Sequence, residues 1–385
     1  MKKIKILMVA GNMHIGGIEN QLMHLMRNVD KEKFQIDFTS TMENPACREE
    51  IEQLGGKIFL IPKMNWKKPV PYCREMCNIM KRGQYDVVHS HELFHSGITL
   101  LLAKWAGVPC RFAHAHNWSD GDGTGRKRSI LRSVYNCVMR KLICYYSTVQ
   151  IACSSWAGEF VFGKNIIRKS SYHVIFNSID TAQFLDDYDN LETGEYLEQS
   201  GWKNVLNIAR ITAVKNQIFL TKIAKVFKER GVKIRILCVG TGDEGILQQV
   251  RDNIKKYQIE DYFSLVGVRK DIPSLMRKSS AFVLPSKYEG MPLVMIEAQA
   301  SGLTCVSADT YSPEVDFGIN TVIWLSLEAG PSVWADALEK AVLRKRADKE
   351  KVVEAVMDKK FDSKLFADEL CNLYEEDYQL RGQRT

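Results

Sequence analysis

"SAFVLPSKYEGMPLVMIEAQASGLTCVSAD", Ser280 to Asp309, holds an apolar run, a polar loop, a helical pattern and a second apolar run. Both runs are continuous rather than alternating, as expected of strands buried on both faces of a parallel sheet. Pro292 suits the first position of the intervening helix and Gly302 its end. Glu289 then falls on the strand-to-helix loop, and Glu297 about a turn and a half into the helix. The N–H groups of Gly290, Met291 and Leu293 are expected to be free at the positive end of that helix, where a phosphate can bind. Two carboxylates flanking such a place suit the hydroxyls of a sugar-like ligand.

The same unit recurs along the chain. In the first half the strand-like runs are "KIKILMVAG", "FQIDFTS", "KIFLIP", "YDVVHSH", "CRFAHAH", "VQIACS" and "YHVIFNS". In the second half they are "NVLNIAR", "KIRILCVG", "YFSLVG", "SAFVLPS", "LTCVSAD" and "NTVIWLS". Helical patterns such as Ile18–Val29, Asn216–Arg230 and Leu247–Tyr257 lie between them. This is α/β alternation, with parallel sheets covered by helices on both faces. A chain of 385 residues exceeds one ordinary core, so two doubly wound domains are expected. The acidic stretch after Ile179 breaks the rhythm and marks the boundary. The expected division is 1–182, a linker at 183–203, 204–361, and a C-terminal helix at 362–385 returning to the first domain.

Hydrophobic content of 45% and charged content of 26% are those of a globular enzyme. A net charge of +7 permits an anionic ligand or membrane surface without calling for nucleic acid. The ten cysteines contain no C-x-x-C and fall mostly in apolar segments, which points to reduced thiols rather than disulfides or zinc. The N-terminal apolar run, Ile6 to Ala10, is too short for a signal peptide and reads as a first strand. "GITLLLAKWAGV", interrupted by Lys104, is too short to span a membrane. The expected location is cytoplasmic.

Several motifs carry chemistry, each with a plainer alternative. "GTGDEG", Gly240 to Gly245, follows a strand and matches a dinucleotide fingerprint, but no acidic residue ends the next strand, so a tight turn is favoured. "GNMHIGGIEN" places Gly16 and Gly17 where backbone can approach a ligand at a helix start. "NIARITAVKN" sets Arg210 and Lys215 between a strand end and a helix start, suited to a diphosphate. Five histidines, His89, His91, His95, His114 and His116, crowd the first domain near strand ends; His114 or His116 is the candidate for a ligand contact, and not His89. Metal binding there lacks a matching carboxylate spacing. "GRKRSILRSVYNCVMRKLI" sets Arg128, Arg132 and Arg140 on one helical stripe and Leu131, Val134, Val138 and Leu142 on another. The apolar stripe is expected to pack and the basic one to face water, with docking on an anionic membrane as the alternative.

Taken together, Glu289-x7-Glu297 in "EGMPLVMIEA", the Arg210/Lys215 pair in "ARITAVKN", "GGIE" after the first strand and "AHAHN" at a strand end resemble retaining glycosyltransferase family 4. The likeness spans nearly the whole chain and is greatest to bacterial enzymes of exopolysaccharide and capsule synthesis. It implies a GT-B fold, two Rossmann-like domains facing across a cleft. It also implies transfer of a sugar from a nucleotide-diphosphate sugar, UDP-linked by expectation, to a glycan or lipid-linked acceptor. By the resemblance, Glu297 holds the ribose, and Glu289 contacts the donor sugar with the N–H groups of Gly290, Met291 and Leu293. Arg210 and Lys215 neutralise the diphosphate, Gly16 and Gly17 approach it or the acceptor, and Gly240 lines the nucleotide site. Val268 and Arg269 flank the base, and His114 or His116 lies near the sugar. Ala209 stands where the family more often has glycine. No metal cofactor is implied, in keeping with the lack of a D-x-D motif beside an apolar strand. The enzyme would work in the cytoplasm, at the inner face of the membrane if it docks there. Competing readings are a sugar-nucleotide epimerase on the same fold, a nicotinamide-dependent dehydrogenase resting on "GTGDEG", and a non-catalytic membrane scaffold.

Overall fold

The computed structural model describes residues 2–11, 13, 16–119, 130–166, 168–185 and 201–382. These form two compact units. Described residues up to Ser178, joined by those from Asp362 onward, make the first, and Ile179–Phe361 make the second. Most of the expected linker lies outside the described residues.

The first unit is built on seven parallel strands: β1 (Ile4–Val9), β2 (Phe34–Ser40), β3 (Ile58–Leu60), β4 (Val87–Ser90), β5 (Cys110–Ala115), β6 (Val149–Ala152) and β7 (Tyr172–Val174). They lie in the order β3-β2-β1-β4-β5-β6-β7. The second has six: β8 (Lys203–Ile208), β9 (Ile234–Val239), β10 (Phe263–Gly267), β11 (Ala281–Leu284), β12 (Cys305–Ala308) and β13 (Val322–Leu325). Their order is β10-β9-β8-β11-β12-β13. Strand order therefore reverses between β1 and β4, and again between β8 and β11. Ligands of doubly wound sheets bind beyond the carboxyl ends of strands at such points.

Strand β1 shows why its run is continuously apolar. Ile6 and Met8 join the core beneath helices Gly17–Asn28 and Ser363–Arg381, while Leu7 and Val9 join a second core with Tyr72, Met76 and Met80 on the other face. Successive side chains point to opposite faces, so a strand covered twice has no polar side. In the second unit β8, β9, β11 and β12 supply Val205, Ile236, Val283 and Val306 to a core closed by Trp334. All ten cysteines are free thiols.

One helix departs from its expected orientation. Within Ile130–Tyr146 the buried residues are Asn136, Met139 and Ile143. Leu131, Val134 and Val138 are 82%, 56% and 47% exposed, and Leu142 is half-buried. Arg140 instead turns inward and donates to the carbonyls of Val161 (3.0 Å) and Phe160 (2.6 Å). The crossing with helix Ser96–Trp105 sets this face: a Cβ at Gly97 would lie 2.8 Å from the Met139 carbonyl, a proximity only glycine permits. Arg128 lies outside the described residues.

Candidate active site

In the second unit, the loops after β8 and β11 are fastened to each other at the switch point. Val214 accepts a hydrogen bond from the Lys287 N–H (2.8 Å), and the Asn216 amide donates to the Pro285 carbonyl (3.2 Å). Between these two links the Lys215 ammonium meets the Glu289 carboxylate at 2.5 Å, with side chains 20% and 11% exposed. The structure thus brings Lys215 and Glu289 together, although they are 74 positions apart in sequence.

Arg210 stands on the same β8 loop. Its carbonyl accepts from the Gln217 side-chain amide (3.0 Å), whose oxygen in turn accepts from the Thr212 N–H (3.3 Å). Its own side chain is exposed and makes no ion pair among the described residues. Gln217, fully buried at the start of helix Gln217–Arg230, holds this loop and was not singled out from sequence; a polar residue opening an apolar helix face was its only signal.

The helix after Glu289 runs Leu293–Ala300, with Pro292 in extended backbone as its cap rather than its first residue. Leu293 therefore carries the first helical N–H, one that has no partner within the helix. Gly290 and Met291, on the loop just before it, are both buried and both make contacts inside the protein. Glu297 lies within this helix, half-buried and without an ion pair among the described residues. Burial pushes its carboxyl pKa up to about 7. Tyr311, fully buried and hydrogen-bonded to Ser307, lies close enough to Glu289 to feel its charge; sequence reasoning missed it.

The glycines of "GTGDEG" have a structural cause. A Cβ on Gly240 would come 2.1 Å from the Ala209 carbonyl, and one on Gly242 would come 2.2 Å from that of Ile211. They let the β9 loop lie against the β8 loop that bears Arg210. The Asp243 carboxylate caps helix Glu244–Tyr257 by accepting from the Ile246 N–H (2.9 Å), filling the place a dinucleotide phosphate would take. The dehydrogenase reading loses its basis. At the end of β10, Val268 is 68% exposed, and Arg269 forms a two-pronged bond with Asp271 at 2.7 Å, which holds the Asp271 pKa below its usual value.

In the first unit, Gly16 caps helix Gly17–Asn28 with extended backbone, and Glu19 lies in the first turn. Residues 12, 14 and 15 of that loop are outside the described set. His114, one residue before the end of β5, is buried, and its ring stacks on His116 with centroids 4.0 Å apart. His91 Nδ1 and His116 Nε2 lie 2.8 Å apart. Burial depresses both candidates' pKa values, His116 to about 3 and His114 well below its usual value, so both are neutral imidazoles.

Two parallel-sheet α/β units of this kind are the GT-B architecture of glycosyltransferases. A crystal structure of Anabaena HepE in complex with UDP-glucose superposes with a TM-score of 0.77 at 16% identity, covering 97% of this chain and all of that one. Residues 15–183 match the profile described as "Glycosyltransferase Family 4", and 203–343 that described as "Glycosyl transferases group 1". Glycosyltransferase EpsF of Bacillus subtilis (strain 168) is 32% identical over 96% of each chain. The capsular polysaccharide biosynthesis glycosyltransferase CapH of Staphylococcus aureus is 24% identical, over 89% of this chain and 92% of its own. An Escherichia coli enzyme named UDP-Gal:alpha-D-GlcNAc-diphosphoundecaprenol alpha-1,3-galactosyltransferase is 23% identical over 79% of each. The chain belongs to glycosyltransferase family 4 and is a sugar transferase. All three relatives are named as transferases, and nothing favours the epimerase alternative.

Proposed function

We propose that this enzyme moves a sugar, with retention, from a UDP-sugar to a hydroxyl of a lipid-linked or glycan acceptor during assembly of a bacterial exopolysaccharide or capsule. The observation that carries the reading is the fastened pair of loops in the second unit. They present Lys215, Glu289, the unpaired Arg210 and the Leu293 N–H at one switch point. The UDP-glucose bound by HepE and the donor, lipid-linked acceptor and alpha linkage in the E. coli relative's name support the choice of substrates. CapH supports the capsular role.

As the anomeric bond breaks, negative charge builds on the departing diphosphate and positive charge on the sugar. Lys215 and Arg210 stabilise the diphosphate together with the helix N-terminus, and no divalent metal on the phosphates is required. Glu289, which anchors Lys215 in the resting enzyme, faces the donor sugar, and Glu297 accepts the ribose hydroxyls. Val268 and Arg269 flank the base, Gly240 shapes the wall behind Arg210, and Gly16 and Gly17 approach the phosphates or acceptor. The acceptor hydroxyl attacks on the face the diphosphate leaves, and the departing phosphate takes its proton.

A groove of about 710 Å³ in the first unit, lined in part by Thr41, Lys63, Arg74 and Glu75 near the ends of β2 and β3, suits the polar acceptor. No helix among the described residues is long and apolar enough to cross a membrane. The exposed Ile130, Leu131, Val134 and Val138, beside Arg132 and Lys141, form a face suited to lie on an anionic bilayer where a lipid-linked acceptor resides. The enzyme would then work at the inner face of the membrane. Incubation with UDP-sugars and lipid-diphosphate-linked glycan in excess chelator tests the reading. Transfer giving an α-linked product supports it; isomerised donor without acceptor, or dependence on added divalent metal, contradicts it.

A further inference from the structure

Strands β4 and β5 are neighbours, with His89 paired to Phe112 and Ser90 to Ala113. The period of two along each strand then sets His89 and His91 on one face of the sheet, with His114 and His116 beside them. The rings form a compact array: centroids are 4.2 Å apart for His89–His91, 5.3 Å for His89–His114 and 5.2 Å for His91–His114. His89, His91 and His114 are 0%, 8% and 2% exposed.

The array is rich in ring nitrogens with nothing to bond. His89 Nε2, His91 Nε2, both nitrogens of His114 and His116 Nδ1 are buried without a hydrogen-bond partner. Packing alone does not account for this, since a buried polar atom normally finds a partner and an unsatisfied one is costly. An apolar ring of similar size would fill the same space. The partners that do exist follow a pattern. His89 Nδ1 lies 2.6 Å from the Tyr374 hydroxyl, and His91 Nδ1 lies 2.8 Å from His116 Nε2. In both residues Nδ1 is engaged by a neighbour while Nε2 is left over. A histidine that ligates a metal has this arrangement: one nitrogen binds the ion and the other donates to a partner that fixes ring and tautomer. One ring nitrogen from each of His89, His91 and His114 comes within 4.8 Å of the other two. All four imidazoles have depressed pKa values, through burial first, and neutral imidazole is the ligating form.

We infer that His89, His91 and His114 form a buried site for a divalent transition metal, with Tyr374 and His116 as the partners that orient two of the ligands. Three imidazoles suit Zn²⁺, with a fourth position left open. This assigns His114 to the metal and leaves His116 as the histidine available to the sugar. The site lies in the first unit and uses none of the residues proposed to hold the diphosphate, which belong to the second. It therefore does not alter the proposal that the leaving group needs no metal.

The full-length protein, stripped with chelator, is titrated with Zn²⁺, and with Co²⁺ followed by its visible d–d absorption. Elemental analysis counts the bound ion. The expected result is about one ion per chain with tetrahedral Co²⁺ absorption, lost in His114→Ala and in His91→Ala. Those two variants bear on ligation only where circular dichroism shows them folded. Tyr374→Phe, which keeps the ring and removes only the hydroxyl, should bind roughly 10–100-fold more weakly while remaining folded. His173→Ala, outside the array, should bind as the parent does. Folded parent protein that takes up no ion, or Tyr374→Phe and His114→Ala variants binding as tightly as the parent, overturns the assignment. Because the readout is metal content, this result is independent of whether sugar transfer follows the proposed course.

Discussion

Replacing Glu297 by glutamine changes a carboxyl whose protonation the fold has displaced. The ordinary value is 4.5, and burial raises it to about 7. Between these values the folded chain holds a proton that the unfolded chain has released. Glu297's contribution is therefore most favourable below pH 4.5 and is lost as pH rises through about 7. At about 1.4 kcal/mol per unit the loss is at most about 3.5 kcal/mol, and residual solvent contact at this half-buried site reduces it to on the order of 1–2 kcal/mol. Glutamine has nothing to ionise and should escape the penalty. The buried histidines impose the opposite slope, since their depressed pKa values cost stability as pH falls below 6.5. The observable is therefore the difference between parent and Glu297→Gln. Urea unfolding should show the variant more stable by on the order of 1–2 kcal/mol at pH 8 and nearly equal at pH 4.5. Ribose hydroxyls donating to the ionised carboxylate would pull the pKa down again. UDP binding to the parent near pH 6.5 should then release more protons than binding to the variant, seen by calorimetry in buffers of different ionisation enthalpy; the release common to both comes from the terminal phosphate of UDP, which titrates in the same range. A parent–variant difference that does not change with pH, or equal proton release by both, would refute the reasoning.

Other perturbations reach separate parts of the structure. Gly240→Ala forces a Cβ against the Ala209 carbonyl and should cost about 1–3 kcal/mol in thermal or urea unfolding, with weaker donor binding because the Arg210 loop must move. Leu131→Asp with Val134→Asp removes two exposed apolar side chains and adds negative charge. Sedimentation with anionic liposomes should fall by roughly tenfold or more while the melting temperature stays within a few degrees. Thr310→Ala removes a 2.6 Å hydrogen bond to the Ser286 carbonyl beside the Glu289 loop. It should cost about 1 kcal/mol of stability without abolishing transfer.

The central strands were legible because they are covered on both faces, and a continuous apolar run is what such burial demands of "KIRILCV" or "AFVL". All thirteen strand-like runs read from the sequence are strands in the fold. Lys215 and Glu289 were legible as separate motifs, but their pairing depends on β8 lying beside β11, which no local pattern encodes. Helix Ile130–Tyr146 misled because its apolar stripe gives no sign of which neighbour it meets. Gly97, on another helix, decides that Met139 and Ile143 face inward. The histidine array was visible only as crowding. That His91 meets His116, and that His114 has no partner, follows from strand register and from Tyr374 on a helix nearly three hundred residues away.

The central claim is that Lys215 and Arg210 capture the diphosphate of the donor without a metal on it. Titration calorimetry of UDP in the presence of chelator, with the parent, Lys215→Ala and Arg210→Ala, tests it directly. The account predicts binding by the parent and a loss of roughly tenfold or more in each variant, by removal of a charge-assisted contact. Equal affinity in all three proteins, or parent binding that appears only when a divalent cation is added, would contradict it.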